Sequence, residues 1–199
     1  MILAGLLRHG EVEGGSRFRG STDDPLTSVG MQQMRDATKG ECCWDQVITS
    51  PLQRCAVFAN EYANQHQLPL SIEKRIAEIH FGSWEGYTAA ELMKTQHAEL
   101  TRFWNNPLDY TPPHAEPLTD FITRAHNAWH DMMLNYAGKR VLIVAHGGVI
   151  RVLLCYIQNY PIEKMLEIDV KHGALFTVNI SGTDSHAIYT LIKQVNEPG

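Results

Sequence analysis

Two short, uninterrupted apolar runs each lead into a His-Gly pair, and few folds accommodate that arrangement twice. Ile2–Leu7 passes through Arg8 into His9-Gly10, and Val141–Ala145 passes into His146-Gly147-Gly148. A continuous apolar run of this length, closed by glycine, reads as a strand buried on both faces, the kind that parallel sheets use. In open α/β sheets, ligands bind outside the carboxyl ends of the strands. Both imidazoles are therefore expected at the edge of the sheet where a pocket forms. The glycines allow close backbone approach and leave N–H groups free for an anion.

The rest of the chain fits this frame. Helical stretches are expected near Ser28–Lys39, through about His66 with Ser50-Pro51 as cap and first turn, in pieces over Ala89–Trp104, over Leu118–Tyr136, and from His146-Gly147-Gly148 to about Gln158. Strands are expected at Gln46–Thr49, Leu70–Ile72, Ala174–Ile180 and Ala187–Val195, with a turn at Gly182-Thr183-Asp184. Strands alternating with helices predict an α/β protein, a three-layer α/β/α domain with a mostly parallel sheet and an antiparallel edge. We expect one domain over 1–199, with a helical insert or lid at about 81–114. A chain of 199 residues buries enough surface for a core without disulfide or metal staples.

Charge narrows the partners. A net charge of −5 with no basic run argues against nucleic acid, whose binders concentrate Lys and Arg to neutralise phosphates. A small anionic metabolite met by a few placed cations fits better. Nowhere do about 18 consecutive apolar residues occur, so no membrane helix is expected. Cys42, Cys43, Cys55 and Cys155 show no C-x-x-C spacing and read as reduced packing residues of a cytoplasmic protein. Met1–Leu7 reads as a strand and not as a secretory leader.

A strand-end histidine alone is more often a hydrogen-bonded structural residue than a catalyst. Two such pairs, one preceded by Arg, favour chemistry. A metal reading finds no third ligand at a recognisable spacing such as H-x-x-x-H. A further cation comes from Ser50-Pro51-Leu52-Gln53-Arg54, where a strand ends and Arg54 falls in the first turn of the next helix. Its rigid fork matches two phosphate oxygens, although a helix arginine is as often merely solvated.

Taken in order, several blocks resemble the histidine phosphatase (phosphoglycerate mutase-like) superfamily. They are Leu6-Leu7-Arg8-His9-Gly10-Glu11, Gly20-x-x-Asp23-x-Pro25-Leu26-Thr27-x-x-Gly30, Ser50-Pro51-Leu52-x-Arg54, Glu78-Ile79-x-Phe81-Gly82-x-Trp84-Glu85-Gly86 and Val144-Ala145-His146-Gly147-Gly148. A lone R-H-G recurs by chance; the ordered set is specific. The resemblance implies that His9 is the nucleophile and forms a phosphohistidine, its other ring nitrogen held by a backbone carbonyl. It implies that Arg8, Arg54 and His146 surround the phosphoryl oxygens, with Gly147, Gly20 and Ser16 among the substrate contacts. Glu78 becomes the general acid and then the base for water, with Glu85 as its nearest rival. Without the resemblance Glu78 reads as a solvated loop residue. No metal or cofactor is implied.

The chain departs from the family in two places. Many members of the family it resembles place an Asn a few residues after R-H-G, where Glu11-Val12-Glu13-Gly14-Gly15-Ser16 has none. Of the frequent Gly-Glu-Ser before the long helix, only Glu116 matches. The wording around Glu78 resembles the phosphatase branch, and most of all bacterial α-ribazole phosphatases of cobalamin nucleotide-loop assembly. A broad-specificity sugar-phosphate phosphatase is the alternative; a phosphoglycerate mutase or a non-catalytic phosphate-binding protein stands further off. Trp84, Phe103, Trp104 and Tyr110 in the insert offer faces for an aromatic base, or else simply pack the insert on the core.

Overall fold

The computed structural model describes residues 1–40, 44–181 and 188–195. A six-stranded sheet runs β3-β2-β4-β1-β5-β6 across the molecule. Its strands are β1 (Ile2–Arg8), β2 (Gln46–Thr49), β3 (Leu70–Ile72), β4 (Arg140–Ala145), β5 (Leu175–Ser181) and β6 (Ile188–Val195). The first four are parallel, and β5 and β6 add an antiparallel edge beside β1. The turn expected at Gly182-Thr183-Asp184 and the pair Cys42-Cys43 lie outside the described residues.

Alternation along the strands builds two cores. Leu7, Leu142 and Val144 face α1 (Ser28–Thr38) and α2 (Gln53–His66), meeting Met34, Phe58 and Tyr62. Leu6, Ile143 and Ala145 face α5 (Leu118–Asn135) and α6 (Gly147–Gln158), meeting Phe121, Trp129, Val149 and Leu153. Successive strand residues point to opposite faces, so an all-apolar strand feeds both layers at once. The result is α/β/α. On α5 the buried residues Leu118, Phe121, Ala125, Ala128, Trp129 and Met132 recur at three- and four-residue steps, a stripe facing the sheet.

The insert contains α3 (Ala89–Thr95) and α4 (His97–Asn105). Its ends are tied together, Ser83 N–H donating to Pro113 O at 2.9 Å and Glu116 N–H to His80 O at 2.9 Å. Trp84, Leu92, Leu100 and Phe103 form a small core of their own, with Phe18, Phe81 and Tyr110 against it.

One local expectation is corrected. Ser50-Pro51 is not the cap and first turn of α2; the helix opens at Gln53 after Leu52. The Ser50 side chain instead joins the site described below. Phe81–Gly86 contains a short 3-10 helix at Gly82–Trp84, and Gly82 holds a φ of 58° there. Two further 3-10 helices, Lys74–Ile76 and Ile162–Glu167, carry no strong sequence period.

Candidate active site

The register of β1 on β4 pairs Arg8 with Ala145, so the residue after each strand lies beside its counterpart. His9 N–H donates to Ala145 O at 3.0 Å. The His9 and His146 rings meet edge to face with centroids 5.3 Å apart. β2 joins through Ser50 N–H, which donates to Val144 O at 3.0 Å. Three neighbouring strand ends thus supply Arg8-His9, Ser50 and His146.

His9 is 6 % exposed. Its Nδ1–H donates to Gly10 O at 2.8 Å, which leaves the Nε2 lone pair for attack. Burial, reinforced by the nearby Arg8 charge, holds the imidazole well below its usual range, and the bond to Gly10 only partly offsets this. A neutral ring with a free lone pair is the form a nucleophile requires.

His146 is fully buried. Its Nδ1 accepts from Arg54 Nε at 3.3 Å, and its Nε2 lies 2.6 Å from Ser50 Oγ. Burial first, then the His9 and Arg54 neighbours, keep it neutral. Both nitrogens are therefore engaged inside the protein, where the sequence placed them on phosphoryl oxygens. Ser50, read from sequence as a helix cap, is the residue that orients this ring.

Arg54 is 1 % exposed. Its Nη1 donates to Thr22 O and its Nη2 to Gly20 O, each at 2.7 Å. The helix that carries it is anchored by the same loop, since Gln53 N–H donates to Asp23 Oδ1 at 2.7 Å. An acid is favoured at a helix N-terminus by the unpaired N–H groups and the dipole. Gly20 thus holds Arg54 through its carbonyl. With φ at 52°, a Cβ there would fall 2.2 Å from Glu85 Oε1, so only glycine fits.

Arg8 Nη1 donates to Val170 O at 2.5 Å, and its buried Nε has no partner among the described residues. Burial and then Arg151 lower this guanidinium to about 10. Arg151, which the sequence reading missed, follows Gly147 by one helical turn of α6. Its Nε donates to Ile168 O at 2.9 Å. The i, i+4 spacing from Gly147 was the available signal. Gly147, buried at the start of α6, lies against Arg8 and Arg151.

Glu78 reaches the same helix start: Gly148 N–H donates to its Oε2 at 3.0 Å, and Ile79 N–H to its Oε1 at 3.1 Å. Its backbone is held from behind by Arg124. That side chain donates to Arg75 O, Ala77 O and Glu78 O at 2.6, 2.8 and 3.1 Å, and grips Glu116 with two bonds at 2.6 and 2.9 Å. Glu85, the rival acid, accepts from Ser21 and Thr22, by N–H and hydroxyl of each, and from Phe81 N–H. Burial pushes its carboxyl up, but these bonds together outweigh it and hold the group low. Glu85 is an anchor for the 20–22 loop.

Ser16 is exposed and lines a depression with Glu11, Glu13, Thr27 and His172, apart from the Arg54–His146 pair. Beside Glu78 lies a cavity of about 200 Å³. Glu78, Gly148 and Arg151 form its polar wall; Phe18, Phe81, Phe103, Trp104 and Leu166 are among its apolar lining. Of the four insert aromatics, Trp84 and Tyr110 stack on each other in the small core. Phe103 and Trp104 reach the cavity, the latter 44 % exposed.

Comparison with known proteins adds to this geometry. The family described as Histidine phosphatase superfamily (branch 1) matches residues 5–189. A bifunctional protein of Mycobacterium tuberculosis is 30 % identical over 182 residues, 88 % of this chain. The chain spans 46 % of the length of that relative, about half. The 2,3-bisphosphoglycerate-dependent phosphoglycerate mutase 2 of Gloeobacter violaceus is 29 % identical, covering 100 % of this chain and 95 % of that protein. Among solved structures, the α-ribazole phosphatase of Shigella flexneri matches with a TM-score of 0.82 at 25 % identity, over 96 % of this chain and 94 % of that one.

Proposed function

The chain belongs to the histidine phosphatase superfamily, branch 1, and on that premise we propose that it is a metal-independent phosphomonoesterase working through a phosphohistidine. Its substrate in this reading is α-ribazole 5′-phosphate, a phosphate ester whose alcohol part carries a flat bicyclic base, cleaved in cobalamin nucleotide-loop assembly. The observation that carries the substrate is the aromatic-lined cavity beside Glu78. Among its lining residues Arg151 is the one cation, so the wall suits a largely apolar group better than a sugar rich in hydroxyls or a second phosphate. The name borne by the Shigella flexneri structure agrees.

The chemistry follows from the groups in place. His9 Nε2 attacks phosphorus and the bond to the ester oxygen breaks. Glu78, as a carboxylic acid, gives that oxygen its proton. Arg8 and Arg54 draw off charge from the phosphoryl oxygens during a loose transfer. Glu78, now a carboxylate, takes a proton from water, which attacks the phosphohistidine and releases inorganic phosphate and His9.

The test is a substrate panel with EDTA present: α-ribazole 5′-phosphate, p-nitrophenyl phosphate, sugar phosphates and 2,3-bisphosphoglycerate with 3-phosphoglycerate. We expect turnover in EDTA, none in His9→Ala, and a kcat/KM for α-ribazole 5′-phosphate at least about 10-fold above the sugar phosphates, the size of one good stacking contact. Glu78→Gln should lose about 10²–10⁴-fold on alkyl phosphates and less on p-nitrophenyl phosphate, whose leaving group needs less help. Activity retained in His9→Ala would sink the nucleophile. A flat profile would favour the sugar-phosphate alternative, and phosphate exchange between glycerates would favour a mutase, in line with the Gloeobacter violaceus relative.

A further inference from the structure

His172 lies in the short connection before β5, and this connection is bonded to the catalytic strand end. Gly173 N–H donates to His9 O at 3.3 Å, and Arg8 N–H to Ala174 O at 2.9 Å. Its ring is tilted 42° to that of His9 with centroids 5.6 Å apart. No described residue hydrogen-bonds to its imidazole, although the side chain is only partly exposed. The other ring near His9, that of His146, has both nitrogens engaged. Neither nitrogen of His172 is hydrogen-bonded among the described residues.

The surroundings are those of an anion site. The charged groups that act on His172 are Arg8 and Arg19, and Arg8 presents a buried Nε that also has no partner among the described residues. Glu11 borders the outer depression, but its Oε1 accepts from Thr27 Oγ1 at 3.1 Å. Glu13 borders it too and is exposed. The loop 11–16 has no amide side chain to offer.

We propose that His172 is a phosphate ligand of this enzyme, donating an imidazole N–H to a phosphoryl oxygen held at His9. The inference rests on the histidine phosphatase reading of the site. Burial, followed by Arg8 and Arg19, lowers the free ring to about 4, so it meets the substrate neutral, with one N–H to give. An arriving dianion offsets those cations and strengthens that bond.

The measurement is inhibition of p-nitrophenyl phosphate hydrolysis by inorganic phosphate in the wild type, His172→Leu and His172→Asn. Losing a hydrogen bond to a charged partner predicts about a 10-fold or greater rise in phosphate Ki and in KM for His172→Leu. His172→Asn, which restores a donor, should recover most of this. A His172→Leu protein with an unchanged melting temperature and a Ki within about twofold of wild type would overturn the proposal. So would failure of His172→Asn to recover binding. Should His172→Leu not fold, titration of the wild type with inorganic phosphate, followed by NMR of the His172 ring nitrogens, decides the matter. A shift that saturates supports the ligand role, and no shift overturns it. This titration needs no turnover, so an inactive wild type would remove the proposed function while still deciding what His172 binds.

Discussion

Glu85 accepts hydrogen bonds from Ser21, Thr22 and Phe81, whereas Glu78 accepts two backbone bonds and borders the cavity. The two carboxylates share one sequence block, and only their partners separate an anchor from an acid. The roles predict different kinetic signatures. Glu85→Ala frees the loop that holds Arg54 through Gly20 O and Thr22 O, so it should lower kcat/KM about equally for good and poor leaving groups. It should also lower the melting temperature, by about 2–4 °C for each kcal/mol of lost bonding in a chain of this size. Glu78→Gln should show the opposite pattern, with a steep dependence on the leaving group. Kinetics on p-nitrophenyl and alkyl phosphates, beside a thermal melt, separate the two. At this scale the sequence reading named His9, Arg8, Arg54, Glu78 and His146. It missed Ser50 as a partner of His146, Arg151 and His172, because each acts through a neighbour distant in the chain. Gly20 O turns to Arg54 and Ser16 lies exposed in a depression with His172, orientations that a motif position does not give.

The segment that carries Glu78 has no regular hydrogen-bond ladder of its own, so an element elsewhere must fix it. That element is α5, through Arg124. One guanidinium bonds three carbonyls, at residues 75, 77 and 78, and is itself oriented by the two oxygens of Glu116. Such a planar fork is not replaceable by an ammonium. Arg124→Lys is expected to leave the chain folded and the KM for p-nitrophenyl phosphate within about twofold. It should lower kcat by about 10-fold, with the larger loss on alkyl phosphates, because misplacing the acid hurts the worst leaving group most. A loss independent of the leaving group would assign Arg124 to stability alone. The sequence pattern gave α5 its bounds to within a residue, since its apolar stripe is long and regular. The lone Glu116 match preceding it made sense only once its partner on the next turns of the helix was visible.

At the scale of the molecule, the fold buries histidines in neutral form, and this sets a pH dependence of stability. In the unfolded chain His9 and His146 titrate near the ordinary value of about 6.5; folded, both lie well below it, chiefly through burial. Below about pH 6.5 the unfolded state therefore binds more protons, and stability falls as pH falls, by up to about 1.4 kcal/mol per pH unit for each ring. Denaturant melts from pH 7.5 down to 5.5 should show a steady decline, and His9→Gln should reduce its slope. A flat profile would contradict buried neutral rings. The alternation of strands and helices made the α/β class readable from sequence. The insertion of β4 between β2 and β1 was not, because strand order and register are long-range choices that no local pattern records. That register is what sets His9 against His146. Folding has one more consequence, for turnover. Arg54 is fastened to Gly20 O, Thr22 O and His146, and Arg8 to Val170 O. Their rotamer freedom is thus lost when the chain folds and not when phosphate arrives. Phosphate then competes with carbonyls that stay in place, ready to reclaim those donors. The site can grip a transferring phosphoryl group firmly and still release inorganic phosphate without waiting for two long side chains to find their places again.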